Sequence, residues 1–244
     1  MPDPERRQPR GGRKNKTSPA QAFYNLKHSW QELELKLAAN FDGKDMVVTL
    51  TFDDEHLPPD KSKARELFRR FERKLRAARK RRGEELKRIL VVEGHHGKSD
   101  EWLFGEDGHL EDKRIHLHLV INGNNKRCIE EIRSLWPYGG YIRAERIDVH
   151  YYRELAKYLT KEAREFARPK PGEQTWSCSK NLAAPKIEYI EVPDSVTLCP
   201  PDGAVDYTQY HEVNPYGYGE CVVARYLMPQ REAPPSYAGK PLKN

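Results

Sequence analysis

The chain has 244 residues, 37% apolar and 33% charged, with a mean hydropathy of −0.92, which leaves enough apolar side chains for one core and fits one domain with extensions. Its longest aliphatic runs, Ile89 to Val92 and Leu119 to Ile121, fall far short of the roughly 18 residues of a membrane span, and the first thirty residues hold no signal-like apolar stretch, so membrane and secreted classes are disfavoured. The net charge of +6 hides two basic patches: residues 1–16 carry six basic and two acidic side chains and residues 61–88 fourteen and four, together +14, which leaves −8 on the other 200.

Clustered positive charge points to a polyanionic partner, although a lone basic helix is equally well a solvated face. Cys128, Cys178, Cys199 and Cys221 have no C-x-x-C spacing. That argues against a structural zinc site or a disulfide framework and suits a reducing cytoplasm.

Residues 1–18 read as a basic, disordered arm. Ser18-Pro19 is an N-cap followed by proline at the first helical position, and predicts a helix over 19–39. Met46 to Phe52 alternates and is rich in β-branched residues, as a strand does. Ala64, Leu67, Phe68, Phe71, Leu75 and Ala78 form one apolar stripe at helical spacing, with arginine and lysine on the other faces. Strands are predicted at Ile89 to Glu93, Arg114 to Ile121 and Tyr141 to Val149, with an acidic loop at 97–112. Helices are predicted at Cys128 to Leu135 and Tyr151 to Phe166, and the proline-rich stretch 168–172 marks a domain edge. The expected organisation is a basic arm (1–18), a core domain (19–167), and a linker with C-terminal extension (168–244). Within the extension, Ile187 to Val192 and Glu220 to Leu227 read as strand-like.

Three features carry chemistry. His116-Leu117-His118 lies in a predicted strand, so both imidazoles project from one face. Such a pair suits a divalent metal, and equally suits two surface histidines on a half-buried sheet. Glu93 ends a run of four aliphatic residues, where a carboxylate is costly unless the strand ends there or the group is bound. Two histidines and one carboxylate make an oxygen-and-nitrogen set suited to Mg²⁺ or Mn²⁺, with His95 and His96 as rivals for the third ligand. Tyr158 and Lys161 are i and i+3 on a predicted helix and share a face. A phenol of pKa about 10 becomes a nucleophile only when a cation stabilises its phenolate. Leu155, Tyr158, Leu159 and Phe166 would also form an ordinary apolar stripe.

Taken together, the strand VVTLTF, the Glu-ended strand, RIHLHLVING and AKYLTK, in that order, resemble the HUH endonucleases. Within them the chain looks like a rolling-circle replication initiator of phage or plasmid type. LWPYG at 135–139 and WSCSKNL at 176–182 extend the resemblance to about residues 14–190. It implies an α+β fold whose mainly antiparallel sheet has ferredoxin or RRM-like topology, with helices on one face and the active site on the other. It implies that His116, His118 and Glu93 hold a divalent ion, Mg²⁺ or Mn²⁺. Tyr158 would attack the scissile phosphate of single-stranded origin DNA, leaving a 5′-phosphotyrosine and a free 3′-OH, with Lys161 assisting. Some relatives carry a second tyrosine four positions earlier, where this chain has Glu154, so a single-tyrosine enzyme is implied. Tyr151 and Tyr152 compete for the assignment.

The basic residues Arg13, Lys14, Arg69, Arg70, Arg73, Lys74, Arg76 and Lys80 are then expected to bind DNA phosphates. Host helicase and polymerase are the expected partners, in a bacterial cytoplasm and away from any membrane. A relaxase or transposase of the same superfamily, or a non-catalytic RRM-like nucleic-acid binder, are the alternatives. The last lacks an RNP1-type aromatic string here.

Overall fold

The structure is a computed structural model describing residues 18–94, 114–123, 126–161, 174–186, 188, 189, 191, 197–213 and 220–228. The basic arm with Arg13 and Lys14, the acidic loop, His95, His96, the proline-rich stretch 168–172 and half of 187–192 lie outside these residues. The chain divides into two compact units, one ending at Lys186 and the other beginning at Ile187.

In the first unit the elements run α1 (Pro19–Asn40), β1 (Met46–Leu50), α2 (Lys61–Lys80), β2 (Arg88–Glu93), β3 (His116–Ile121), α3 (Lys126–Leu135), β4 (Ile142–Arg146), a short 3₁₀ turn (Val149–Tyr151), α4 (Tyr152–Leu159) and β5 (Trp176–Cys178). Every strand pairing is antiparallel, in the order β4-β1-β3-β2-β5. From β1 to β4 the chain follows the β-α-β-β-α-β path of a ferredoxin-like fold. The sheet continues past the proline-rich stretch because β5 pairs with β2, Ile89 opposite Cys178 and Val91 opposite Trp176.

Alternation along the strands divides the apolar residues between two layers. Met46, Val48 and Leu50 of β1, Leu90 and Val92 of β2, and Leu117, Leu119 and Ile121 of β3 face α2 and α3. There they pack on Ala64, Phe68, Phe71 and Leu75 of α2 and on Cys128 and Ile132 of α3, all buried. The apolar stripe of α2 is therefore its inner face, and Asp60 caps the helix by accepting the Lys63 N–H at 2.7 Å. Arg88 of β2 holds Glu72 of α2 through two hydrogen bonds of 3.0 and 3.1 Å. Arg79, 2% exposed, donates to the Asn122 carbonyl and side chain at 2.9 and 2.7 Å.

Ile89, Val91 and Val120 point the other way, onto Leu33 and Leu37 of α1 and Ala156 and Leu159 of α4. The two crossover helices thus cover one face, as expected, while α1 and α4 add a layer over part of the opposite one. Ser18 caps α1 by accepting the Gln21 N–H at 3.2 Å. Arg153 and Lys157 of α4 lie over the Trp30 ring of α1, at 5.6 and 5.3 Å from its centroid, so cation–π contacts join the two helices.

Two elements differ from their sequence-based bounds. The strand expected over Tyr141 to Val149 ends at Arg146, and Asp148 then caps the 3₁₀ turn through the His150 N–H at 3.0 Å. The helix expected over Tyr151 to Phe166 is interrupted after Leu159 at Thr160, 4% exposed, whose hydroxyl turns back to the Ala156 carbonyl at 2.8 Å; Lys161 is helical again, and residues 162–166 lie outside the described residues. The second unit contains an antiparallel pair, β6 (Val205–Val213) and β7 (Glu220–Leu227), whose register runs Thr208–Arg225 to Val213–Glu220. Only β7 was expected; β6 was not.

Candidate metal centre and tyrosine groove

The β2–β3 register sets Glu93 directly opposite His116, and Val91 opposite His118. Because Leu117 turns into the α2 layer, His116 and His118 share the opposite face with Glu93. Glu93 and His118 are 2% and 3% exposed. A carboxylate oxygen of Glu93 lies 3.4 Å from His118 Nε2 and 3.6 Å from His116 Nε2, and the two Nε2 atoms are 3.1 Å apart.

The other ring nitrogens have partners of their own. His116 Nδ1 lies 2.8 Å from the Arg114 carbonyl, which only accepts, so the proton sits on Nδ1 and Nε2 carries a lone pair. His118 Nδ1 is 3.2 Å from Thr49 Oγ1, the kind of second partner that orients a ligating imidazole. Two imidazole nitrogens and a buried carboxylate oxygen therefore converge on one point. Ligands about 2.1 Å from an ion at right angles stand about 3 Å apart, close to the spacing here. The donor set fits a divalent cation, and Glu93, His116 and His118 are the residues to hold it.

Gly94 secures the end of β2 beside this cluster. Its φ is +102°, and a Cβ there would stand 2.4 Å from the Arg114 carbonyl oxygen. No other residue type fits so close to the strand carrying the histidines.

α4 separates the three candidate tyrosines by burial. Tyr152, Ala156 and Leu159 face inward at i, i+4 and i+7. The Tyr152 hydroxyl donates to the Phe41 carbonyl at 2.5 Å, and burial, with Asp42 and Asp45 nearby, pushes its pKa up to about 12. Tyr152 is a structural residue. Tyr151 and Tyr158 are 58% and 54% exposed. The Tyr158 ring meets the His118 ring edge-on, with centroids 5.4 Å apart, the favoured geometry of an aromatic pair. Both tyrosines line an open groove of about 410 Å³ together with Thr49, His118, Arg143 and Leu155. Lys161 is exposed and lies beyond the break at Thr160, so the shared helical face expected for Tyr158 and Lys161 is interrupted.

Thr49 and Arg143 join the site without having been expected there. β1 places Thr49 opposite His118 on one side and Arg143 on the other, so the three form a row across the sheet. The threonine in the MVVTLTF alternation was the available signal; Arg143 lay on an edge strand with none. The basic residues of α2 lie in the layer behind the sheet from this groove. Arg70 and Arg76 pair with Glu66 and Glu72 of their own helix at 2.6 and 2.8 Å. Arg69, Arg73, Lys74 and Lys80 are exposed and have no ion pair among the described residues.

Among the described residues, no helix is long and apolar enough to cross a membrane. No curated protein and no solved structure matches the chain. Residues 45–163, from the start of β1 to just beyond α4, do match a protein-family model described as "Replication-associated protein ORF2/G2P". The part of the chain that builds the Glu93–His116–His118 cluster and presents Tyr158 is therefore similar to a family of replication-associated proteins, a family of rolling-circle replication initiators.

Proposed function

We propose that the first unit is a single-tyrosine HUH endonuclease that nicks single-stranded DNA at an origin and so starts rolling-circle replication. The observation that supports this most is the edge-on approach of the Tyr158 ring to His118 beside the Glu93–His116–His118 convergence. In this reading those three residues hold a Mg²⁺ or Mn²⁺ ion, which when bound polarises the scissile phosphate. Tyr158 Oη attacks phosphorus and the bond to the 3′ oxygen breaks. The phenol proton leaves to solvent, and the departing 3′ oxygen takes one up. The products are a 5′-phosphotyrosine and a 3′-OH able to prime synthesis. One phosphoester replaces another, so no energy source is consumed.

The groove supplies positioning. Thr49 holds the His118 ring, Arg143 faces the strand's phosphates, and Lys161 offsets charge as the phenolate attacks. Arg13, Lys14 and the basic face of α2 add sequence-independent phosphate contacts. Host helicase and polymerase then use the 3′-OH in a bacterial cytoplasm.

The test is a covalent adduct. With Mn²⁺ and a single-stranded origin oligonucleotide, the wild-type protein is expected to give a protein–DNA band on a denaturing gel. Tyr158→Phe is expected to lose the band, Tyr151→Phe to keep it, and His116→Ala to lose metal-dependent cleavage. An adduct that persists in Tyr158→Phe overturns the nucleophile assignment. Failure of the wild type on every candidate origin favours a non-catalytic nucleic-acid binder.

A further inference from the structure

In the first unit, exposed rings and the longest row of unpaired cations stand on opposite sides of the sheet. Tyr141, Tyr151 and Tyr158 are 66%, 58% and 54% exposed, and all three belong to β4, α4 or the residues just before them, around the groove. α2 presents the reverse. Its aromatic residues, Phe68 and Phe71, are buried at 1% each, and arginine or lysine fills its outward positions 69, 70, 73, 74, 76 and 80 and the C-cap at 81, with Ala77 between them. At 100° per residue these positions straddle the direction opposite the buried stripe. From Arg69 to Lys80 they extend for about 17 Å along the axis.

We infer that the outward face of α2 is a second nucleic-acid surface, which takes the phosphate backbone of duplex DNA, apart from the single strand in the tyrosine groove. This rests on the DNA-nicking reading above and deepens it. Three observations lead here. A helix about 10 to 12 Å across, and then the sheet, separate these cations from the Glu93–His116–His118 cluster, so a nucleotide at the cluster does not also reach them. Surfaces that hold single strands combine cations with rings on which bases stack; α2 offers no exposed ring, whereas the groove side offers three. A protein partner would call for an apolar or aromatic anchor at the centre of the interface, and Ala77 is the only apolar side chain among the outward positions. What remains is a row of charges suited to a regular line of phosphates.

The test uses the full chain without metal, so that no cleavage enters the reading. Fluorescence anisotropy is measured on a blunt 20-base-pair duplex and a 20-nucleotide single strand, both of arbitrary sequence, between about 50 and 200 mM salt. In R69Q/R73Q/K74Q/K80Q the ratio of duplex to single-strand affinity is expected to fall at least about tenfold, and the salt slope on duplex to become shallower by about 3 to 4. R69K/R73K keeps the charges and is expected to keep the slope. Circular dichroism of the quadruple variant confirms that α2 is intact. An unchanged duplex affinity, as for a protein-binding face, or an equal loss on both probes overturns the proposal. A Tyr158→Phe protein that still forms an adduct would sink the nucleophile assignment and leave this measurement standing.

Discussion

The two faces of the five-stranded sheet are built from the same strands and do different work. Toward α2 and α3 the inward strand residues are apolar apart from Arg88, which pairs with Glu72 of α2, and the layer is closed by Phe68, Phe71 and Trp136, with the Phe71 and Trp136 rings edge-on at 5.3 Å. Toward α1 and α4 the apolar residues stop halfway. Val47, Ile89, Val91 and Val120 are covered, and beyond them Thr49, His118, His116 and Glu93 are left for chemistry. One face supplies the stability that lets the other hold a buried carboxylate beside two imidazoles, an arrangement that costs free energy without a cation.

That division can be broken from either side. The largest effect is expected from His118→Ala, which removes one of three donors. Mn²⁺ affinity, read by calorimetry, should fall by about 100-fold or more, while the melting temperature in EDTA holds or rises. Retained affinity would remove His118 from the site. Phe71→Ala attacks the other face and is expected to cost about 3 to 5 kcal/mol in urea unfolding, with Mn²⁺ affinity unchanged below the transition. Loss of metal binding before unfolding would show the faces to be coupled. Thr49→Val keeps the shape and removes the partner of His118 Nδ1, so Mn²⁺ affinity should drop by about tenfold with stability little altered.

A smaller effect comes from Tyr152. Its pKa is raised from 10.0 to about 12 by burial, so the folded state binds the phenolic proton more tightly than the unfolded chain. The stability this contributes is full below about pH 10 and is lost as pH rises toward 12. Tyr152→Phe should flatten the pH dependence of stability in that window, measured by alkaline denaturation. It should also leave the Phe41 carbonyl without its donor, at about 1 kcal/mol at neutral pH.

Period-2 alternation made the histidine pair legible, because a strand can place positions 116 and 118 only on one face. Glu93 followed from its place after four aliphatic residues, and the register then set it opposite His116. α2 was legible from its stripe, since all four of its large apolar contacts recur at helical spacing. β5 was not. Trp176–Cys178 is three residues long, too short for any period, and exists because β2 has an open edge to pair. The break at Thr160, whose buried hydroxyl bonds back to the Ala156 carbonyl, falls inside a run whose apolar spacing continues through it. That Tyr152 is buried while Tyr151 and Tyr158 are exposed turned on α1, whose Leu33 and Leu37 pack on one side of α4. Arg143 entered the site only through the β1–β4 register.

The close approach of Gly94 to Arg114 has an engineering consequence. The two ligand-bearing strands meet at that point through backbone packing and the Glu93–His116 pairing. Gly94→Ala would drive a Cβ into the Arg114 carbonyl and part the two strands, so this one position is a handle for loosening the ligand spacing without replacing a ligand.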